Sequence, residues 1–475
     1  MAYTIKTKPL RDNTVVGQEL MYTVDSSNAI DPTKYRFKYV FSPLVYDGTN
    51  IIGTVNMDIT PNSAAAGIGD VSNVLEQYLS SDYLGNNKNS SSSSFKGTAF
   101  TISTPHPIHL IDKFSLSFNP MLHFTVIFSE SYATTPNGNV TTYFGALTDD
   151  GRILNGMDYG NQANRVGLNY GIDLANWDNK KFLYDGFAYS SGLKVKFLSN
   201  SPDVQYIGTN DYHTTAFFAG RWAGHNQPAY MYSISFYDVN LNVLLNIYQN
   251  LSTGGGWDGT GAFAFQAPGK ELQYMGCGVA NLRGAGVTIP TNWDSYTVTL
   301  SDSSNQSFYE EKTFKRKDED CKGFEKIRLT WINQYGVWDY YNFTKKNSRS
   351  TDIKREEYTQ IKGNWNDDRY SQHGYQGGRT GLNTSPVKII NCNSDWFTSD
   401  AEAAWLEELF ISNEVFILNK YDIGDTGVTG AEYGKYVIPV RVSSKKYERY
   451  TEANDKVAQY EIEIEYANNT RTQIG

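Results

Sequence analysis

Cysteine is scarce in this chain, with three in 475 residues: Cys277, Cys321 and Cys392. An odd, widely spaced set is neither a disulfide framework nor a paired C-x-x-C site. It reads as three reduced, mostly buried thiols of a cytosol-made protein. Histidine is nearly as rare. His106, His109, His123, His213, His225 and His373 form no H-E-x-x-H or H-x-H array, and a catalytic metal needs three or four ligands in fixed geometry. The Gly-rich stretches at 253–262 and 276–286 are not G-x-x-x-x-G-K-[ST], so a phosphate cradle is unsupported, and no G-x-S-x-G nucleophile elbow occurs. No cofactor and no catalytic residue are expected. Basic residues do not cluster either. Lys315-Arg316-Lys317 is followed at once by Asp318-Glu319-Asp320, and the net charge is −9. Binding nucleic acid by counterion release needs grouped cations, so nucleic-acid partners are not expected. The N-terminus lacks an apolar h-region and no run approaches the length of a membrane span, so neither a secretory signal nor membrane insertion is expected.

What the chain has in abundance is aromatic surface: 35 Tyr, 24 Phe and 9 Trp make 14% of the residues. Flat rings pack well on a pleated sheet, and the dominant pattern is alternation with period two. Tyr35, Phe37, Tyr39 and Phe41 share one face, Asp47-Gly48-Thr49-Asn50 makes a turn, and Val55, Met57 and Ile59 line the return. Phe124, Val126 and Phe128 alternate. So do Leu193, Val195 and Phe197, then Tyr232, Ile234 and Phe236, then Tyr296, Val298 and Leu300. Tyr460, Ile462, Ile464 and Tyr466 oppose Glu461, Glu463 and Glu465 in the clearest amphipathic strand, and its glutamates discourage stray edge pairing. Two short helices interrupt the strands. Asp70 can cap one that buries Val71, Val74, Leu75, Tyr78 and Leu79. Ser399 and Glu402 form a capping box for a second at 399–411, with Ala401, Ala404, Trp405 and Leu409 on one face.

This pattern predicts a mainly β chain of three regions: an N-terminal sandwich over 1–140, a central sandwich with long loops over 141–315, and a C-terminal β domain over 316–475. Residues 86–94 are Asn and Ser with one Lys and read as an exposed loop. Leu147 to Tyr184 lacks clear periodicity and reads as surface loops, with Asp149-Asp150-Gly151 as a turn. Residues 345–380 turn polar and charged and read as an arm.

The most distinctive stretch is Lys326 to Thr344. Ile327, Leu329 and Trp331 make one apolar face, and Asn333-Gln334-Tyr335-Gly336 is a turn in which Gly336 can take φ > 0. The return strand is dense in rings. A structural hairpin is expected here, with Trp331, Asn333, Gly336, Trp338, Asp339 and Phe343 as its defining residues. Exposed Trp222, Trp257 or Trp365 are candidates for stacking on sugar rings. Carboxylates abound, but sequence alone cannot bring two of them to the roughly 5–10 Å separation of a glycosidase.

Three stretches carry a family resemblance. They are Phe37-Lys38-Tyr39-Val40-Phe41 with the Asp70-Val71-Ser72 helix start, then Cys321 with Arg328-Leu329-Thr330-Trp331-Ile332-Asn333 through Asp339-Tyr340-Tyr341-Asn342-Phe343, and Trp405-Leu406-Glu407-Glu408-Leu409-Phe410 with Ile438-Pro439-Val440. With Lys196 to Pro202 they touch all three regions. In these the chain resembles a family of virion structural proteins from tailed bacteriophages of Bacteroidota-like and marine hosts. The resemblance implies tandem immunoglobulin-like or fibronectin-III-like sandwiches, no catalytic residues, and a place in the tail, baseplate or head-to-tail connector. Its implied partners are copies of itself in a ring-like homo-oligomer and other virion proteins. The competing expectations are a receptor-binding adhesin that meets a host-surface glycan, and a glycan hydrolase using a carboxylate pair.

Overall fold

The computed structural model describes residues 3–9, 13–47, 50–79, 115–116, 121–157, 194, 196–218, 231–250, 272–284, 287–301, 307, 309–317, 323–375, 377–397, 399–418, 437–444, 447 and 459–467. Strands take up 56% of these and helix 9%, in several sheets and no barrel, so the chain is a mainly β, sandwich-type protein. The loop expected at 86–94, the candidate rings Trp222 and Trp257, and Cys321 all lie outside the described residues.

The N-terminal sandwich stacks a three-stranded sheet (Tyr3–Thr7, Met21–Ser26, Ala66–Asp70) on a six-stranded one built around Tyr35–Asp47, Met121–Ala133 and Thr141–Met157. Its core holds Tyr22, Tyr39, Phe41, Phe128 and Leu75. Leu75 comes from the first short helix, Ser72–Glu76, and the Asp70 carboxylate accepts from the Ser72 N–H at its start (2.9 Å). The boundary drawn at residue 140 falls within the connection of a hairpin. Thr141–Met157 pairs along its length with Met121–Ala133, so the N-terminal sheet runs on to Met157. Asp149-Asp150-Gly151 is therefore strand and not turn. Its polarity hid the strand from periodicity, but Asp149 is satisfied by the Tyr22 hydroxyl (2.9 Å) and by Lys8 (2.5 Å).

The central region has a five-stranded sheet in the order Val204–Ile207, Lys312–Arg316, Ser295–Ser301, Met231–Tyr237, Val243–Asn250. A small sheet of Thr214–Phe218 and Leu272–Gly276 accompanies it, joined by Ser115–Leu116 from the preceding region. Of the alternation at 193–197, Leu193 and Val195 lie outside the described residues, and Phe197 is not in a strand. Residues 196–203 run without regular structure, although Phe197 still fills the core beside Phe217 and Tyr309. A third α-helix, Val279–Gly284, lies in the glycine-rich stretch 276–286. Its Val279 and Leu282 are buried in the central core.

The C-terminal region is one seven-stranded antiparallel sheet, in the order Trp338–Phe343, Ile327–Ile332, Val415–Leu418, Val437–Val442, Glu461–Tyr466, Gly378–Asn393, Asn347–Gln360. The helix Asp400–Ile411 covers it through Ala403, Trp405, Leu406 and Leu409. The amphipathic strand of glutamates is paired on both sides rather than standing at an edge. Glu463 and Glu465 are engaged by the Ser443 hydroxyl and the Arg441 guanidinium (2.7 Å each).

Candidate functional site

The hairpin Ile327–Ile332/Trp338–Phe343 is buried on both faces, and this organises the molecule. Alternation sends Trp331, Leu329, Ile327 and Phe343 into the C-terminal core, where Trp331 meets Trp405 with ring centroids 5.4 Å apart. The opposite side chains, Trp338 and Tyr340, enter a different core shared with Val15, Met121 and Leu154 of the N-terminal region and Leu198, Ala216 and Leu272 of the central one. The turn completes the junction. Asn333 Oδ1 accepts from the Tyr335 and Val337 N–H groups (2.9 and 3.3 Å), while its Nδ2 donates to the Leu198 carbonyl (2.9 Å). The Gln334 carbonyl accepts from the Met157 N–H of the N-terminal sheet (2.8 Å). Gly336 sits at φ 78°, and a Cβ there would collide with the Asn155 carbonyl. Every residue expected to define the hairpin is thus in it, and the hairpin joins all three regions.

Two buried polar networks brace this junction, and sequence reading identified neither. In the first, Asp211 accepts from Lys326 Nζ (2.6 Å), Asn342 Nδ2 (2.8 Å) and the Gly208 N–H (2.7 Å), with Arg328 Nη1 3.7 Å away. Burial acts to raise its carboxyl. The Arg328 and Lys326 charges outweigh burial and hold it well below the ordinary carboxylate range. Arg328 also donates to the Tyr212 carbonyl (2.7 Å) and lies 3.3 Å from His213 Nδ1. Burial, then the adjacent Arg328 charge, pushes the His213 pKa well down.

In the second network Glu408, from the buried face of the helix, accepts from the Gln334 N–H (3.0 Å), Gln334 Nε2 (2.9 Å) and Asn200 Nδ2 (3.1 Å). Asp339 accepts from Trp405 Nε1 (2.7 Å). Burial and the Asp339 charge push the Glu408 carboxyl up to about 8, and burial raises Asp339 as well. Both groups are sealed in the interior and hold elements together, which is no geometry for reaching a glycosidic bond. Among the described residues no group of three His, Cys, Asp or Glu could hold a metal ion. Cys277 and Cys392 are buried free thiols pushed up to about 12 by burial, and so are poor nucleophiles.

The segment expected to be an arm is a two-stranded ribbon, Asn347–Gln360 paired with Gly378–Asn393. Only its inner end is anchored: Ile389, Ile390 and Cys392 are buried, and residues 389–393 pair with Glu461–Tyr466. From residue 348 to residue 360 every side chain is exposed. Twelve or so residues at ~3.4 Å each carry the ribbon about 40 Å outward. Arg349 grips Glu325 at the base through two hydrogen bonds (2.6 and 3.2 Å). The tip is internally ordered. Asn364 bridges to Ser371, Trp365 Nε1 donates to the Lys362 carbonyl (2.9 Å), and the Trp365 ring meets the Tyr370 edge. Trp365, a candidate ring, is 75% exposed there, and Tyr375 is 81% exposed.

No family model matches the chain, and no curated protein matches its sequence. Among solved structures the chain is similar to the native conformation of E. coli alpha-2-macroglobulin, seen by single-particle cryo-EM, at 7% identity and a TM-score of 0.18. The match takes in 82% of this chain and 21% of that one, so the chain spans about a fifth of that protein's length. A likeness so slight bears on neither fold nor activity.

Proposed function

We propose that this chain is a non-enzymatic structural component of a tailed-phage virion, assembling in the tail, baseplate or head-to-tail connector. It works by associating with copies of itself and with other virion proteins. The observation that carries the reading is the ribbon. A two-stranded hairpin is marginal by itself in water, yet this one projects past its sheet with Ile353, Tyr358, Ile361, Trp365, Tyr375 and Leu382 facing solvent. Large apolar side chains spread along a protruding ribbon mark a contact surface for a neighbouring protein. The charged residues between them, from Lys354 to Glu357, keep the free edge from pairing indiscriminately. The resemblance to phage virion proteins supplies the setting. A repeated head-to-tail contact between identical copies closes into a ring when the rotation from copy to copy closes.

The test is electron microscopy and light scattering on the full chain, beside a variant in which residues 349–388 are replaced by a short turn. The full chain is expected to form ring-shaped oligomers and to be found in purified particles. The shortened one is expected to be monomeric, with an otherwise intact sheet. A strictly monomeric full chain absent from particles would overturn the proposal.

A further inference from the structure

A cleft of about 120 Å³ lies where the edge strand Val204–Ile207 of the central sheet approaches the start of the helix Asp400–Ile411. Tyr341, Thr344 and Trp405 line it from the C-terminal sheet and helix, together with Tyr206 and Trp396. Those last two rings are 52% and 62% exposed, so they stand at its open rim. A cavity of roughly 150 Å³ takes one six-membered ring, whereas drug-sized ligands need ~300 Å³ or more. At about 120 Å³ and open at its rim, the cleft suits at most a single ring-sized group, part of which stays in solvent.

Its chemistry narrows the ligand. The Thr344 hydroxyl is buried (the residue is 2% exposed) and has no hydrogen-bond partner among the described residues. A buried hydroxyl left unpaired costs ~1–3 kcal/mol, and a ligand hydroxyl would relieve that cost. Glu402 also lines the cleft, close enough to Tyr341 to act on its hydroxyl electrostatically. The capping box expected from sequence is only half formed. Ser399 Oγ accepts from the Ala401 N–H (3.3 Å), and Glu402 turns instead to the cleft. Asp395 is neutralised by Lys317 (3.3 Å) and Lys345 (3.2 Å), and Lys317 lies over one face of the Tyr206 ring, 5.1 Å from its centroid. An anion would meet the Glu402 charge, and a cation would meet the Lys317 ammonium, which also lines the cleft. A neutral ligand remains, with a flat C–H face for a ring and hydroxyls that both donate and accept.

We propose that this cleft binds one neutral pyranose unit of a saccharide, stacked on Trp396 or Tyr206 and hydrogen-bonded by Thr344 and Glu402. The proposal is independent of the arm, since a monomeric chain would still bind. The full chain would be applied to an array of neutral and anionic glycans. Methyl β-glucopyranoside and methyl β-galactopyranoside would then be titrated and followed by saturation-transfer NMR.

Binding is expected to neutral pyranosides, weakened about tenfold by Trp396→Ala or Tyr206→Ala and several-fold by the near-isosteric Thr344→Val. The two rings are exposed enough to remove without disturbing the fold, which unchanged melting curves would verify. Trp365→Ala at the arm tip is expected to leave binding unchanged. No neutral hit on the array, hits confined to anionic glycans, binding that survives both ring deletions, or binding lost only with Trp365→Ala would each overturn the proposal.

Discussion

Glu408→Gln makes the sharpest test of how the junction is held. The carboxyl is 2% exposed and receives three hydrogen bonds, which favour its charged form. Burial, with the Asp339 charge beside it, prevails and lifts its pKa from 4.5 to about 8. A carboxyl raised in the folded state binds its proton more tightly there than in the unfolded chain. Its contribution to stability is fully present below about pH 4.5 and is lost as pH rises through about 8. From pH 5 to pH 8 the native form stays largely protonated and the unfolded form is ionised, at ~1.4 kcal/mol per pH unit. The difference amounts to ~4 kcal/mol, shared with Asp339, which titrates beside it. Glutamine removes that dependence. It also turns an N–H₂ toward the Gln334 N–H, losing one hydrogen bond worth ~1 kcal/mol. Wild type is therefore expected to be more stable than Glu408→Gln by ~1 kcal/mol below about pH 4.5, the order reversing near pH 5 and Glu408→Gln leading by ~3 kcal/mol at about pH 8. Urea unfolding followed by tryptophan fluorescence across that range reports it, since Trp405 and Trp331 lie in the same core. Only the difference between the two proteins is read, because His213, held neutral by burial, adds an opposite slope below pH 6.5 in both. A difference curve that is flat, or that rises with pH, would refute the reasoning.

Asp211→Asn is expected to destabilise by ~3–5 kcal/mol at neutral pH, because it leaves Arg328 and Lys326 buried without their counter-charge. The loss should shrink in acid, where wild-type Asp211 itself takes up a proton, and urea midpoints at several pH values would show this. Gly336→Ala combines a left-handed backbone with a collision against Asn155, so a loss of at least ~2 kcal/mol is expected. Limited proteolysis should then find the N-terminal sheet loosened from the hairpin first. An unchanged cleavage pattern would mean that the turn does not hold the regions together.

The sequence made the β character and the hairpin legible because both are local. Period-two alternation placed Tyr39, Phe41, Val126, Phe128 and Ile234 inside, and Gly336 marked its turn by the one backbone conformation only glycine adopts freely. Where function asks for side chains from distant segments, nothing local announced them. Asp211 and Arg328 are 117 positions apart, Asn200 and Glu408 are 208 apart, and each reads in isolation as an ordinary surface charge or amide. Glu407 and Glu408 look like a solvated helix face, yet both are buried, since the helix lies between the sheet and the junction and is covered on more than one side. Trp396 gave no signal because exposure cannot be read from a lone ring. The strand at 147–157 went unread because Asp149 and Asp150 broke the apolar rhythm while the backbone ladder continued beneath them.

The arm is a continuation of the core sheet and not an appendage to it, and this explains how so polar a hairpin can hold its shape. Residues 389–393 pair on one side with Glu461–Tyr466 and, through residue 392, on the other with Asn347, so the ribbon's first rungs are laid on a sheet with its own buried core. Each later rung adds backbone hydrogen bonds without a new nucleation step, and the register set at Cys392 and Ile390 is carried outward as far as Glu356, where a bulge at Leu382 shifts it by one residue before the tip. The same sheet holds the hairpin that ties the three regions together. A pull on the arm therefore acts along a hydrogen-bonded ladder into Glu461–Tyr466 and across the sheet to Ile327–Ile332, whose far face is locked by Arg328 and Asp211 to the central region. A contact of the kind proposed, made about 40 Å from the body, would thereby be mechanically coupled to all three cores.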